Sequence, residues 1–257
     1  LKKMDSSLSE RRRQRTKSGA LTVGLAGYTN VGKSSLFSAL SGKPVLIKNQ
    51  LFSTLETTVG RMANQPRILM VDTIGFIDNI PAELLDSFSA TLQESLSCDM
   101  LLLLVDASDD PDEIRRKLAT SRRELFGRID DGNSHNTLVV LTKIDLCTDE
   151  QISEAREIVH FYSPFESISV SSTTGIGIDE LRSGIMTLLH GPPIRISVIP
   201  PKNEEQLELV ELVARVHREA LVIEVEVDPK YTKILGWIGK ANLARLTKDH
   251  PEQIQIS

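Results

Sequence analysis

The sequence predicts an α/β protein, a mostly parallel sheet flanked by helices, with a small C-terminal α/β module. Three observations carry this. Short apolar runs of strand length recur along the chain, and several close on an aspartate. Stretches of 10–16 residues with helical apolar spacing lie between them. A glycine-containing turn joins the first run to the first helical stretch.

The strands are expected at Leu21–Ala26, Arg67–Asp72, Met100–Asp106, Thr137–Asp145 and Glu166–Ser172. Helices are expected at Gly32–Ser41, Ala82–Ser97, Asp112–Gly127, Asp149–Tyr162 and Asp179–His190. Strands that alternate with helices of this length build βαβ units, so the strands run parallel and are buried on both faces. Their polar C-terminal ends then share the edge where open α/β sheets bind ligands. Gly191-Pro192-Pro193 interrupts the pattern and marks a boundary between a domain at 20–191 and a module at 192–257. In the module, Ile194–Ile199 and Leu221–Val227 alternate with period two around a helical stretch near Glu204–Glu219. Asp228-Pro229 ends the second of these strands, and a short helix and strand follow. Trp237 is expected in the module's core.

Composition narrows the class. Of 257 residues, 40% are hydrophobic and 25% charged, which excludes a mainly disordered chain. The longest apolar run is Met100–Val105, far below the ~18 residues of a membrane span, and no signal peptide is visible. A cytoplasmic protein is expected. Cys98 and Cys147 are too few for a disulfide scaffold and lack zinc-ligand spacing. With 4% aromatic residues the chain has no stacking platform for single-stranded nucleic acid. Residues 1–19 carry seven Lys/Arg against two Asp/Glu, a balance of +5, so the remaining chain carries −10 of the net −5. That basic segment is a helical or disordered linker with the charge to contact RNA. A chain that opens on Leu1 reads as a piece of a longer one.

Gly27-Tyr28-Thr29-Asn30-Val31-Gly32-Lys33-Ser34 matches G-x-x-x-x-G-K-[ST] between a strand and a helix, the P-loop context. Glycines let successive backbone N–H groups, with those of Ser35 and its neighbours at the helix start, turn towards phosphate oxygens. Lys33 would reach the β- and γ-phosphates, and the Ser34 hydroxyl would ligate Mg²⁺. Asp72-Thr73-Ile74-Gly75 follows a strand, so Asp72 can hold Mg²⁺ through water and the Gly75 N–H can meet the γ-phosphate. Thr142-Lys143-Ile144-Asp145 ends another strand. Asp145 there can accept from the N1–H and N2–H₂ edge of guanine, while the Lys143 stem packs on the base. A backbone N–H of Ser171, Ser172 or Thr173, after the last strand, can meet guanine O6. The acids of Asp106–Asp110 lack the glycine of a calcium loop and read as a strand end and helix cap.

With these motifs on the page, the chain resembles the HflX family, in the Obg–HflX group of P-loop GTPases. GYTNVGKSSLFSAL from Gly27, LFSTLETTVGR from Leu51 and DTIGFIDNIPAELLDSFSATLQES from Asp72 carry the resemblance, over about residues 20–190. It implies a Mg²⁺-dependent GTPase that binds GTP and GDP, with the large ribosomal subunit as partner. It also implies that the family's own N-terminal domain is absent. Within Phe52-Ser53-Thr54, it makes Thr54 the switch threonine that joins Mg²⁺ and the γ-phosphate, with Thr57 and Thr58 as alternatives.

Two departures from the family pattern stand out. Thr142 replaces the usual asparagine and is expected to be too short to reproduce both of its contacts, to the base and to the P-loop, at once, which weakens guanine binding. Phe76 follows Gly75 where many relatives place a water-orienting glutamine, so turnover is expected to be slow without a partner. Asn30 is either a K⁺ ligand beside the phosphates or a residue that stabilises the turn. Two other functions stay open: a nucleotide-gated binding module with negligible hydrolysis, and a nucleotidase that also accepts ATP.

Overall fold

The computed structural model describes residues 20–42, 58–72, 98–126, 136–162, 166–200, 206–228 and 231–257. The basic segment 1–19 and the expected helix Ala82–Ser97 lie outside these. By its internal contacts the described chain divides into two units. One comprises Met186–Ser257 with Ala63–Ile68, and the other the remaining described residues up to Ile185. This division falls inside a helix, a few residues before Gly191.

The first sheet has six strands: β1 (Leu21–Gly27), β2 (Thr58–Ala63), β3 (Ile68–Asp72), β4 (Met100–Asp106), β5 (Asn136–Thr142) and β6 (Ser167–Ser169), in the spatial order β2-β3-β1-β4-β5-β6. Between them run α1 (Lys33–Ser41), α2 (Pro111–Phe126) and α3 (Asp149–Tyr162), and α4 (Ile178–His190) follows β6. The pairs β1–β4, β4–β5 and β5–β6 are parallel. All seven residues of β4 and six of seven in β5 are buried, as expected where helices cover both faces of a parallel sheet. On one face Leu101, Leu103, Val139 and Leu141 form a core with Ile114 and Leu118 of α2 and Ile158 and Val159 of α3. Register places Gly27 opposite Leu104 and Asp106 opposite Thr142, so the polar strand ends share one edge.

Two differences from the sequence reading have simple causes. β2 was not expected, because Gly60 and the exposed Val59 and Arg61 blur its alternation. β6 is only three residues long: the Val170 N–H still donates to the Leu141 carbonyl of β5, but the Ser171 N–H turns away to the Ile176 carbonyl.

The second unit holds β7 (Ile194–Val198), α5 (Gln206–Glu219), β8 (Ala220–Asp228), β9 (Tyr231–Ile238), α6 (Lys240–Asp249) and β10 (Ile254–Ile256). Its sheet is antiparallel, ordered β10-β7-β9-β8. Leu212 and Val216 of α5 and Leu246 of α6 pack with Ile196, Val198 and Ile234 into a core of its own. Trp237, expected in this core, is buried but lies outside it, because it alternates along β9 with the core residues Ile234 and Ile238; its indole N–H donates to the Gly191 carbonyl at 3.0 Å. No helix among the described residues is long and apolar enough to cross a membrane.

Candidate functional site

The Gly27–Ser34 loop leaves β1 at the C-terminal edge of the first sheet. Gly27 passes so near β4 that a Cβ there would lie 2.8 Å from the Leu104 carbonyl oxygen, so glycine is required. At the far end Gly32 caps α1 with φ 95°, a backbone that L residues rarely adopt. Asn30 lies between them, exposed and left-handed with φ 62°. Asparagine is enriched at such backbone positions, which is a local reason for the residue that involves no cation.

Lys33 opens α1 and is 8% exposed. Its ammonium donates to the Gly27 carbonyl at 3.1 Å and to the Tyr28 carbonyl at 2.7 Å. Burial lowers its pKa to about 8, and the nearby Asp72 carboxylate only partly opposes that shift. The first turn of α1 has no acidic residue, and its N-cap makes no side-chain hydrogen bond. Orphan N–H groups, a favourable dipole and a buried ammonium therefore gather at one point, a combination suited to a phosphate.

The Ser34 hydroxyl donates to Asp72 Oδ2 at 3.0 Å. Adjacent oxygens in an octahedral Mg²⁺ shell also stand about 3.0 Å apart, given metal–oxygen distances near 2.1 Å. The donor set is hard and anionic, so it fits that ion. Among the described residues no group of three or more His, Cys, Asp or Glu could hold a metal by itself.

Tyr28 is buried under α2, with Arg116 and Lys117 each 5.7 Å from its ring centroid. Thr29 and Ser35 are half-buried, and Val31 is buried.

The strand ends beyond β4 and β5 form a second cluster. Lys143 has a left-handed backbone, φ 59°, and its ammonium pairs with Asp106 Oδ2. Asp106 Oδ1 accepts from the Ser108 N–H and hydroxyl, so the carboxylate is held at both ends. The sequence reading gives Asp106 only as a strand end and helix cap; the run of strands that close on aspartate is the signal that points further. Asp145 is exposed in the one-turn helix Ile144–Leu146.

The Thr142 hydroxyl reaches the P-loop: it lies 2.8 Å from the Val31 carbonyl and 3.1 Å from that of Val105. One expectation needs correction here. The Ser171 N–H is not available to a base, because it donates to the Ile176 carbonyl at 2.9 Å. Thr173 and Thr174 donate to the Ser171 hydroxyl, and Gly175 donates to the Ser171 carbonyl. Among the described residues, the Ser172 N–H is the one in this turn that meets no acceptor.

The structure thus brings together Lys33, Ser34 and Asp72, and separately Thr142, Lys143 and Asp106. Thr58 is the first residue of β2. Phe52, Ser53, Thr54, Thr57, Gly75 and Phe76 lie outside the described residues.

Comparison with known proteins agrees with this geometry. A family profile described as 50S ribosome-binding GTPase matches residues 22–143. A GTPase HflX of Magnetococcus marinus is 34% identical over 249 residues, 96% of this chain and 54% of that protein. The GTPase HflX of Methanocaldococcus jannaschii is 38% identical over 193 residues, 74% of this chain and 47% of that protein. The chain spans about half the length of the curated relatives it matches. Among solved structures, a GTP-binding protein of Sulfolobus solfataricus in complex with GDP is 29% identical, with a TM-score of 0.52 over 65% of this chain and 52% of that one. A variant of Aquifex aeolicus Era, at 20% identity, shares the fold with a TM-score of 0.54 over 82% of this chain and 74% of that one.

Proposed function

The chain belongs to the HflX family of GTPases, and on that premise we propose that it is a Mg²⁺-dependent guanine-nucleotide switch that binds GTP and GDP and hydrolyses GTP. The observation that carries this reading is the convergence of Lys33, Ser34 and Asp72 at the uncapped start of α1. Residues 20–191 form the nucleotide-binding domain in this reading, 192–257 the appended module and 1–19 a basic linker. That the second unit has its own sheet and core supports the division.

Each residue's part follows from its chemistry. The backbone N–H groups from Gly27 to Ser35 cradle the phosphates, and the Lys33 ammonium leaves the Gly27 and Tyr28 carbonyls for the β- and γ-oxygens. Ser34 and Asp72, with Thr54 in the triphosphate state, would hold Mg²⁺. When bound, that ion neutralises charge on the β- and γ-phosphates. The Gly75 N–H meets the γ-phosphate. Lys143 lays its stem on the base, fixed by Asp106, and Asp145 accepts from N1–H and N2–H₂.

Phe76 can neither donate nor accept a hydrogen bond, so this chain does not orient the attacking water from that position. Slow intrinsic turnover follows, with roughly 10³–10⁵-fold acceleration open to a partner that supplies the missing group. The family description and the basic excess of residues 1–19 support the large ribosomal subunit as that partner, with RNA as the contact and the cytoplasm as the place.

Multiple-turnover hydrolysis of GTP, with and without 50S subunits, tests this. The expected result is slow release of phosphate alone and strong acceleration with subunits. Nucleotide binding without turnover in either condition would make the chain a nucleotide-gated docking module instead.

A further inference from the structure

We infer that this chain reads guanine on its Watson–Crick edge and is blind to N7, because Thr142 is a positioning residue of the P-loop and not a base ligand. The inference rests on the guanine-nucleotide reading above and deepens it. Guanine offers its outer edge as two acceptors, N7 and O6, so N7 is recognised only by a donor. An asparagine amide has two protons and can serve two acceptors at once, whereas a threonine hydroxyl has one.

The single proton of Thr142 is already claimed. Its Oγ1 lies 2.8 Å from the Val31 carbonyl and 3.1 Å from the Val105 carbonyl, in a side chain only 2% exposed. Turning that proton to a base would leave the Val31 carbonyl without its partner from β5, in a loop whose residue 31 is buried.

Two neighbouring backbone donors are committed as well. The Ala107 N–H donates to the Thr142 carbonyl and the Ile144 N–H to the Val170 carbonyl. The Lys143 ammonium is paired with Asp106. The Ser172 N–H, which meets no acceptor within its turn, is a donor for O6. Base selection therefore falls on the exposed Asp145 carboxylate, whose partners are N1–H and the exocyclic N2 amino group.

Competition against a fluorescent GDP, with the intact chain in Mg²⁺, separates the possibilities. GDP and 7-deaza-GDP, which lacks only the N7 acceptor, should compete within about twofold of each other. IDP, which lacks the N2 amino group, should be at least roughly tenfold weaker, the scale of one hydrogen bond to a charged group. Thr142→Val should weaken GDP and 7-deaza-GDP by the same factor, and Thr142→Ser should restore both. Thr142→Asn should open a gap between the two, in favour of GDP. A tenfold loss on 7-deaza-GDP in the parent chain, with ADP excluded, would overturn the inference alone. ADP competing as well as GDP would overturn the guanine reading and the inference with it.

Discussion

Ser34 Oγ stands 3.0 Å from Asp72 Oδ2, a hydrogen bond that ties the second residue of α1 to the last residue of β3. The two elements meet across 38 residues of sequence with their oxygens already at the spacing of neighbouring Mg²⁺ ligands. In the proposed reading Mg²⁺ would meet the Ser34 hydroxyl directly and Asp72 through water, so this bond keeps both groups in place for it.

Removing one oxygen should therefore expose the metal dependence. Ser34→Ala should weaken binding of a GTP analogue in Mg²⁺ by roughly tenfold or more. The same variant should lose most of the difference between Mg²⁺ and EDTA that the parent shows. Titrations of both proteins in both conditions check this, and an unchanged metal effect would contradict it.

Lys33 predicts a dependence on pH. Burial holds its pKa at about 8, below the ordinary 10.5 of lysine. The unfolded chain then binds more protons than the folded one between those values. The burden of this buried cation on stability is thus full below pH 8 and lifts as pH rises towards 10.5. Nucleotide binding has the opposite sign, since phosphate favours the charged ammonium. GDP affinity should fall as pH rises through 8, and binding at pH 8.5 should take up protons, read as a buffer-dependent heat in calorimetry. A flat affinity from pH 7 to 9 would contradict the contact.

Asp106 should matter to the base site without touching the base. Asp106→Asn keeps an acceptor for Ser108 but loses the charge that holds Lys143. Lys143 is 33% exposed, so solvent screens part of this pair, and the expected loss of GDP affinity is modest, about three- to tenfold. The melting temperature should barely move. A large drop in melting temperature with unchanged affinity would make Asp106 a folding residue instead.

How much of this was legible depended on how local each feature is. The strands β1, β4 and β5 announce themselves because burial on both faces demands unbroken apolar runs. The P-loop is equally plain, since Gly27, Gly32 and Lys33 are each required by a local constraint. β9 was missed as a strand because Gly236 and Lys233 interrupt its pattern, and its pairing with β7 and β8 only becomes visible in three dimensions. The bonds from Thr142 to Val31 and from Lys143 to Asp106 span 111 and 37 residues, so no local pattern encodes them. Thr142 shows the consequence. The sequence says that its hydroxyl cannot serve both the loop and a base, but not that it is the loop it serves.

Gly27 offers a check on the loop that is independent of any nucleotide. A methyl group there would meet the Leu104 carbonyl at 2.8 Å, and that oxygen belongs to a buried strand that cannot easily give way. Gly27→Ala should lower stability by about 1–3 kcal/mol, as overpacking does in a dense interior. Denaturant unfolding reads this directly, and a variant as stable as the parent would refute the packing described for β1 and β4.

The central claim is that the cluster at the sheet edge selects guanine nucleotides. Titration with fluorescent GDP and with a non-hydrolysable GTP analogue, each competed by ATP, tests it most directly. The account predicts that ATP fails to displace either at roughly hundredfold excess, because adenine offers Asp145 no N1–H and would leave a carboxylate unpaired. ATP that competes on equal terms with GTP would contradict it.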